Sequence, residues 1–104
     1  METKIDLKKA KQENLRWQIL AVCNAGRPVG VSENLILTTV QAIIPDATIL
    51  WIRQEMDYLE DRGLVDIEGK GTPIWRAELT HHGVDVVEYT VNCYPGIARP
   101  EKYW

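Results

Sequence analysis

The hydrophobic pattern divides the chain into a run of helices, a short alternating stretch and a final helix. Leu15, Ile19, Val22 and Cys23 recur at helical spacing among good helix formers, and predict a first helix over roughly Lys4 to Ala25. Gly26 and Pro28 stop it, and Arg27 to Val31 reads as an extended connector. Ser32 is the expected N-cap of a second helix carrying Leu35, Ile36, Leu37, Val40, Ile43 and Ile44. So dense an apolar content predicts burial over most of its circumference. Pro45 ends it, because the residue before a proline is driven out of helical angles. Asp46 is the expected cap of a third helix over about Ala47 to Arg62, closed by a left-handed Gly63. Two helices flanking so sharp a bend at Ile44-Pro45 have the sequence form of a helix-turn-helix.

The period then changes from helical to alternating. Leu64 to Glu68 predicts a strand, and Gly69 to Pro73 a turn of about five residues. Ile74 to Leu79 predicts a second strand, with Trp75, Ala77 and Leu79 on one face and Ile74, Arg76 and Glu78 on the other. Thr80 is the expected cap of a fourth helix running to about Thr90. The remainder, with Pro95-Gly96 and Pro100, is expected to be irregular. Its terminal Tyr103-Trp104 pair reads as a docking or contact element. The expected fold class is α+β and mostly helical: a helical extension over 1–14, a single core domain over 15–90 and an irregular tail over 91–104.

Composition narrows the function classes. The chain has 104 residues, 45% apolar and 26% charged, which suits one globular domain. No apolar run approaches the ~20 residues a membrane span needs, so no membrane partner is expected. The charged start METKIDLKKAKQE does not resemble a secretory signal, which points to a cytoplasmic protein with Cys23 and Cys93 as reduced thiols. The formal charge of −3 gives no bulk attraction to polyanions. No catalytic constellation stands out, and no enzyme activity is expected. His81 and His82 point about 100° apart on a helix, no metal-ligand spacing is present, and Gly69-x-Gly71 lacks the residues of a phosphate loop. Neither metal nor cofactor is expected.

Three phrases carry a resemblance. Tyr58-Leu59-Glu60-Asp61-Arg62-Gly63-Leu64-Val65 resembles the end of a recognition helix running into a wing strand. Lys70 sits at a glycine-flanked wing tip. Glu78-Leu79-Thr80-His81-His82-Gly83 resembles the leucine-threonine-x-x-glycine phrase after the wing of MarR-like and PadR-like regulators. Together they resemble a winged helix-turn-helix: a three-helix core, a two-stranded wing and a C-terminal helix. The small size, Gly26-Arg27-Pro28 and Pro95-Gly96-Ile97-Ala98-Arg99-Pro100 are similar to the small ArsR-like winged-helix proteins of Mu-like phages and prophages. That resemblance implies a DNA-binding protein of a bacterial host's cytoplasm. Metal-sensing ArsR members carry paired cysteines on the third helix. This chain has none there, so metal sensing does not carry over.

In a helix-turn-helix the start of the third helix enters the major groove. Thr48, Trp51, Arg53 and Gln54 are the expected base-edge contacts, with Lys70 and Arg76 at phosphates. The expected target is double-stranded DNA, bound by a homodimer. Electrostatics oppose this reading. From Asp46 to Arg62 there are five acids (Asp46, Glu55, Asp57, Glu60, Asp61) against two bases (Arg53, Arg62). On the helical wheel Ile49, Ile52, Met56 and Leu59 face the core, whereas Ala47, Leu50, Trp51, Gln54, Tyr58 and Asp61 face away, with Thr48 and Glu55 on one flank. Leu50, Trp51 and Tyr58 therefore form a stripe suited to a phage or host protein partner, the alternative function. The first helix, the tail or self-association can equally cover that stripe.

Overall fold

The computed structural model describes residues 6–102 and is α+β. The element order is α1 (Leu7–Ala25), β1 (Val31–Ser32), α2 (Glu33–Val40), α3 (Ile49–Asp61), β2 (Val65–Glu68), β3 (Arg76–Leu79) and α4 (His81–Val87). Lys4 and the Tyr103-Trp104 pair, with the contact role expected of that pair, lie outside the described residues. Among the described residues no helix is long and apolar enough to cross a membrane.

The core forms where α1, α2 and α3 meet beneath the sheet. Leu15, Ile19, Leu20 and Cys23 from α1, Ile36 and Val40 from α2, and Ile52, Met56 and Leu59 from α3 are buried together with Val65, Ala77 and Val86. Burial pushes the Cys23 thiol up to about 12, so it remains a protonated, inert apolar filler. α2 is less buried than its composition predicts: Leu35 is 55% exposed and Ile43, beyond its end, is 53% exposed.

The boundaries on both sides of the α2–α3 connection differ from the expectation. α2 ends at Val40 rather than Ile44. The Thr38 and Thr39 hydroxyls donate to the Asn34 and Leu35 carbonyls, a back-bonding that competes with the helix. The amides of Ile43 and Ile44 both donate to the Val40 carbonyl, which turns the chain so that Ile44 plugs the core. The connection therefore spans 41–48 and is more gradual than a bend at Ile44-Pro45. α3 is capped by Thr48, whose hydroxyl accepts from the Trp51 amide at 3.2 Å. Asp46, the expected cap, is held instead by Lys11. Ala47, expected to face outward, precedes the helix and is buried.

The sheet is antiparallel with order β1-β3-β2. Val65 pairs with Leu79, and Glu68 with Arg76, leaving 69–75 as a longer loop than expected. β1 lies inside the expected connector, where Val31 pairs with Ala77 and Ser32 with Arg76. At two residues, adjoining the cap of α2, it is too short to show a period of its own. Thr80 joins hairpin to helix: its amide donates to the Leu64 carbonyl, its hydroxyl donates to the Gly63 carbonyl, and the same oxygen accepts from the Gly83 amide. Gly83 is required here, because a Cβ would collide with the Leu64 carbonyl. Gly63 takes the left-handed conformation (φ 75°) expected of it. α4 is shorter than expected and ends at Val87.

The tail is irregular but seated. Ile97 is buried, the Ala98 amide donates to the Glu13 carbonyl at 3.1 Å, and Arg99 donates to the carbonyls of Val86 and Val91.

Candidate interaction site

The third helix is fastened to the rest of the molecule by two buried carboxylates. Glu33, the first residue of α2, is 1% exposed. It accepts a bidentate pair from Arg53 (Nε to Oε1 2.6 Å, Nη2 to Oε2 2.8 Å) and a third bond from the Trp75 amide at 2.6 Å. Arg53 Nη2 also donates to the Pro73 carbonyl, and its guanidinium lies 4.7 Å from the centroid of the Trp75 ring. The hydrogen bond from Arg53 holds the Glu33 carboxyl below its ordinary range, against the opposing effect of burial. This cluster joins α2, α3 and the β2–β3 loop.

Glu55, in the middle of α3, is 2% exposed. It accepts from Arg16 Nε at 2.7 Å, from Gln12 Nε2 at 3.0 Å and from Trp51 Nε1 at 3.2 Å. The wheel placed Glu55 on a flank. It faces inward because α1 brings a cation, an amide and room for the carboxylate to that side. Arg16 reaches further, to the Gly96 carbonyl, so the tail is tied into the same cluster.

These clusters decide the fate of each expected contact residue. Arg53 is turned toward Glu33 and the loop. Lys70 is held by Asp57 (2.6 Å) and Glu60 (2.9 Å) of α3, and both acids raise its pKa. Arg76 donates to the Gly30 carbonyl at 2.6 Å. Arg53 and Lys70 thus each meet carboxylates within the chain, and the exposed Arg76 meets a neutral carbonyl. Thr48 is exposed, with its hydroxyl serving as the helix cap, and Gln54 is exposed. Trp51 is half-buried with its indole N–H on Glu55. The outward stripe of α3 is Leu50, Gln54, Asp57 and Asp61, with Leu50 68% exposed. On the solvent side of the hairpin Asp66 stands opposite Glu78, and Glu68 is exposed beside them.

The apolar stripe is divided. Tyr58 is half-buried between two guanidiniums, with Arg16 at 3.6 Å and Arg62 at 4.6 Å from its ring centroid. α1 therefore covers the Tyr58 end, as one of the readings of the sequence anticipated. Toward their N-termini α1 and α3 part and leave a groove of about 660 Å³, lined by Leu7, Lys8, Lys11, Gln12, Asp46, Trp51 and Gln54. Sequence reasoning singles out Trp51 and Gln54 and notes the basic start of the first helix, but does not bring the two together. Leu7, 63% exposed, was the available signal: an apolar residue among lysines at the start of a helix.

No family model, curated protein or solved structure matches the chain.

Among the described residues no group of three or more His, Cys, Asp or Glu side chains converges to hold a metal. His82 packs edge-on against Tyr94, and its Nε2 lies 3.3 Å from the Tyr94 hydroxyl.

Proposed function

We propose that the chain is a winged helix-turn-helix domain of the Mu-like phage and prophage type, acting in the bacterial cytoplasm as a protein-interaction adaptor. In this reading α2 and α3 are the helix-turn-helix, β2 and β3 the wing, and the N-terminal half of α3 the contact surface. Support for the fold comes from the element order and from the antiparallel hairpin that follows α3 directly.

One observation carries the functional choice. Arg53, at a position a duplex-reading winged helix would use, is bound to the buried Glu33, Lys70 is shared between two acids, and Arg76 is exposed on a neutral carbonyl, while the outward stripe of α3 is Leu50, Gln54, Asp57 and Asp61. Phosphate neutralisation supplies most of non-specific DNA affinity, and this surface has little to supply it with. An exposed leucine beside a half-buried tryptophan, fringed by charge, suits a protein.

A second reading, binding to double-stranded DNA, has one observation in its favour: Gln54 is exposed near the start of α3, where a side-chain amide can pair with an adenine edge. The two separate in one experiment. The tagged chain is used to capture partners from a bacterium carrying the prophage, alongside Leu50→Glu. Loss of a reproducible partner with Leu50→Glu, at unchanged thermal stability, supports the adaptor. Retention on random duplex DNA that falls steeply with salt overturns it.

A further inference from the structure

Resting on the adaptor reading, and naming the chemistry of its partner, we infer that the groove between the N-terminal halves of α1 and α3 receives a short acidic amphipathic segment of another protein. An apolar side chain of that segment sits between Leu7 and Trp51. Its carboxylates lie over Lys8 and Lys11.

The shape follows from where the helices are tied. Glu55 clamps α1 to α3 through Gln12 and Arg16. Beyond Gln12 the described link across the opening is Lys11 Nζ to Asp46 at 3.2 Å, a pair exposed at both ends. Such a pair contributes little and yields readily to a competing carboxylate. The Trp51 indole is fixed from below by Glu55, so one wall of the groove is rigid before any partner arrives. A volume of about 660 Å³ falls in the range of ligand pockets and holds a few side chains.

Charge selects the occupant. Of the lining residues Lys8 and Lys11 are cationic and Asp46 alone is acidic, and Asp46 is already paired with Lys11. Among the described residues no ion pair neutralises Lys8. The N-terminus of α1 is met by its own cap, the Asp6 carboxylate, which accepts from the Lys9 amide, whereas α3 is capped by the neutral Thr48 and has no acid in its first turn, so the positive end of α3 alone adds to the lysines. The groove therefore favours carboxylates, in contrast to the acidic stripe of Asp57 and Asp61 further along α3. A duplex is long enough to meet that stripe, whereas a segment of a few turns is accommodated by the groove.

The test uses the full chain and two fluorescein-labelled helical peptides of ~14 residues, about four turns. They share a leucine seam and differ in carrying glutamate or lysine elsewhere. A labelled single-stranded oligonucleotide is the third probe. The expected result in low salt is binding of the glutamate peptide about tenfold tighter than either other probe, weakened about tenfold by Lys8→Glu and by Leu7→Asp. Both substitutions lie on an exposed turn and leave the Glu55 cluster intact. Equal binding of the two peptides, preference for the oligonucleotide, or indifference to Lys8→Glu overturns the inference. Should neither peptide bind while Leu50→Glu still abolishes partner capture, the groove falls and the adaptor reading stands. Steep salt-dependent duplex binding removes the adaptor reading itself.

Discussion

Glu33 and Glu55 are two buried carboxylates with one arginine each, yet they do different things. Glu55 is met by three side chains, from α1 and from its own helix, and it closes two helices on one another. Glu33 is met by one arginine and one backbone amide, and it fixes a loop. Arg16 is nearly as enclosed as its acid, whereas Arg53 keeps an edge toward water. The lesson is that a buried charge is a matter of its whole shell. Losing Glu55 strands a cation in the interior; losing Glu33 lets its arginine rehydrate. The second case also bears on the proposed function, because Arg53 is turned toward Glu33 and the loop.

The largest expected effect is that of Glu55→Ala. It should cost ~3–4 kcal/mol in urea denaturation, since Arg16 is left with no carboxylate in a site where rehydration is poor. Glu33→Ala should cost less, ~2–3 kcal/mol, discounted for the solvent edge of Arg53. The two should also differ locally. Glu33→Ala should speed hydrogen exchange at the Trp75 amide beyond its global effect, and Glu55→Ala should not. Equal costs, or equal exchange, would erase the distinction drawn above.

Acid titration sharpens the same contrast. The Glu33 carboxyl is held below its ordinary value of 4.5 in the folded state. Its contribution is therefore complete above that pH and is lost as pH falls through the folded value. Wild-type stability should drop over that acidic window, and Glu33→Gln should flatten that part of the profile. A profile unchanged by Glu33→Gln would mean the carboxylate is not ionised in the fold. The smallest effect is expected from Leu50→Glu, within ~0.5 kcal/mol of wild type by thermal unfolding, as its side chain has no core to lose.

Much of the architecture was legible because it rests on local rules. Ser32 and Thr80 cap their helices, Gly63 reverses the chain, and Trp75, Ala77 and Leu79 alternate inward as their spacing implies. What escaped was decided by distant partners. Thr48 caps α3 in place of Asp46, whose carboxylate meets Lys11, far away in sequence. Glu55 was read as a flank residue because a wheel has no knowledge of the arginine facing it. The partners of the candidate cations are equally distant. Arg53, Lys70 and Arg76 carry the right charge at suitable positions, and only the folded chain brings Glu33, Asp57, Glu60 and the Gly30 carbonyl to meet them. The groove escaped because one of its walls begins at Leu7, outside any helix-turn-helix.

The central claim is that the surface of α3 and the hairpin has its cations engaged internally and does not read phosphates. Duplex affinity measured against salt concentration tests it directly. The account predicts no saturable binding of random duplex even at low salt. Binding that weakens with a logarithmic slope near −5, the signature of about six phosphate contacts, would contradict it.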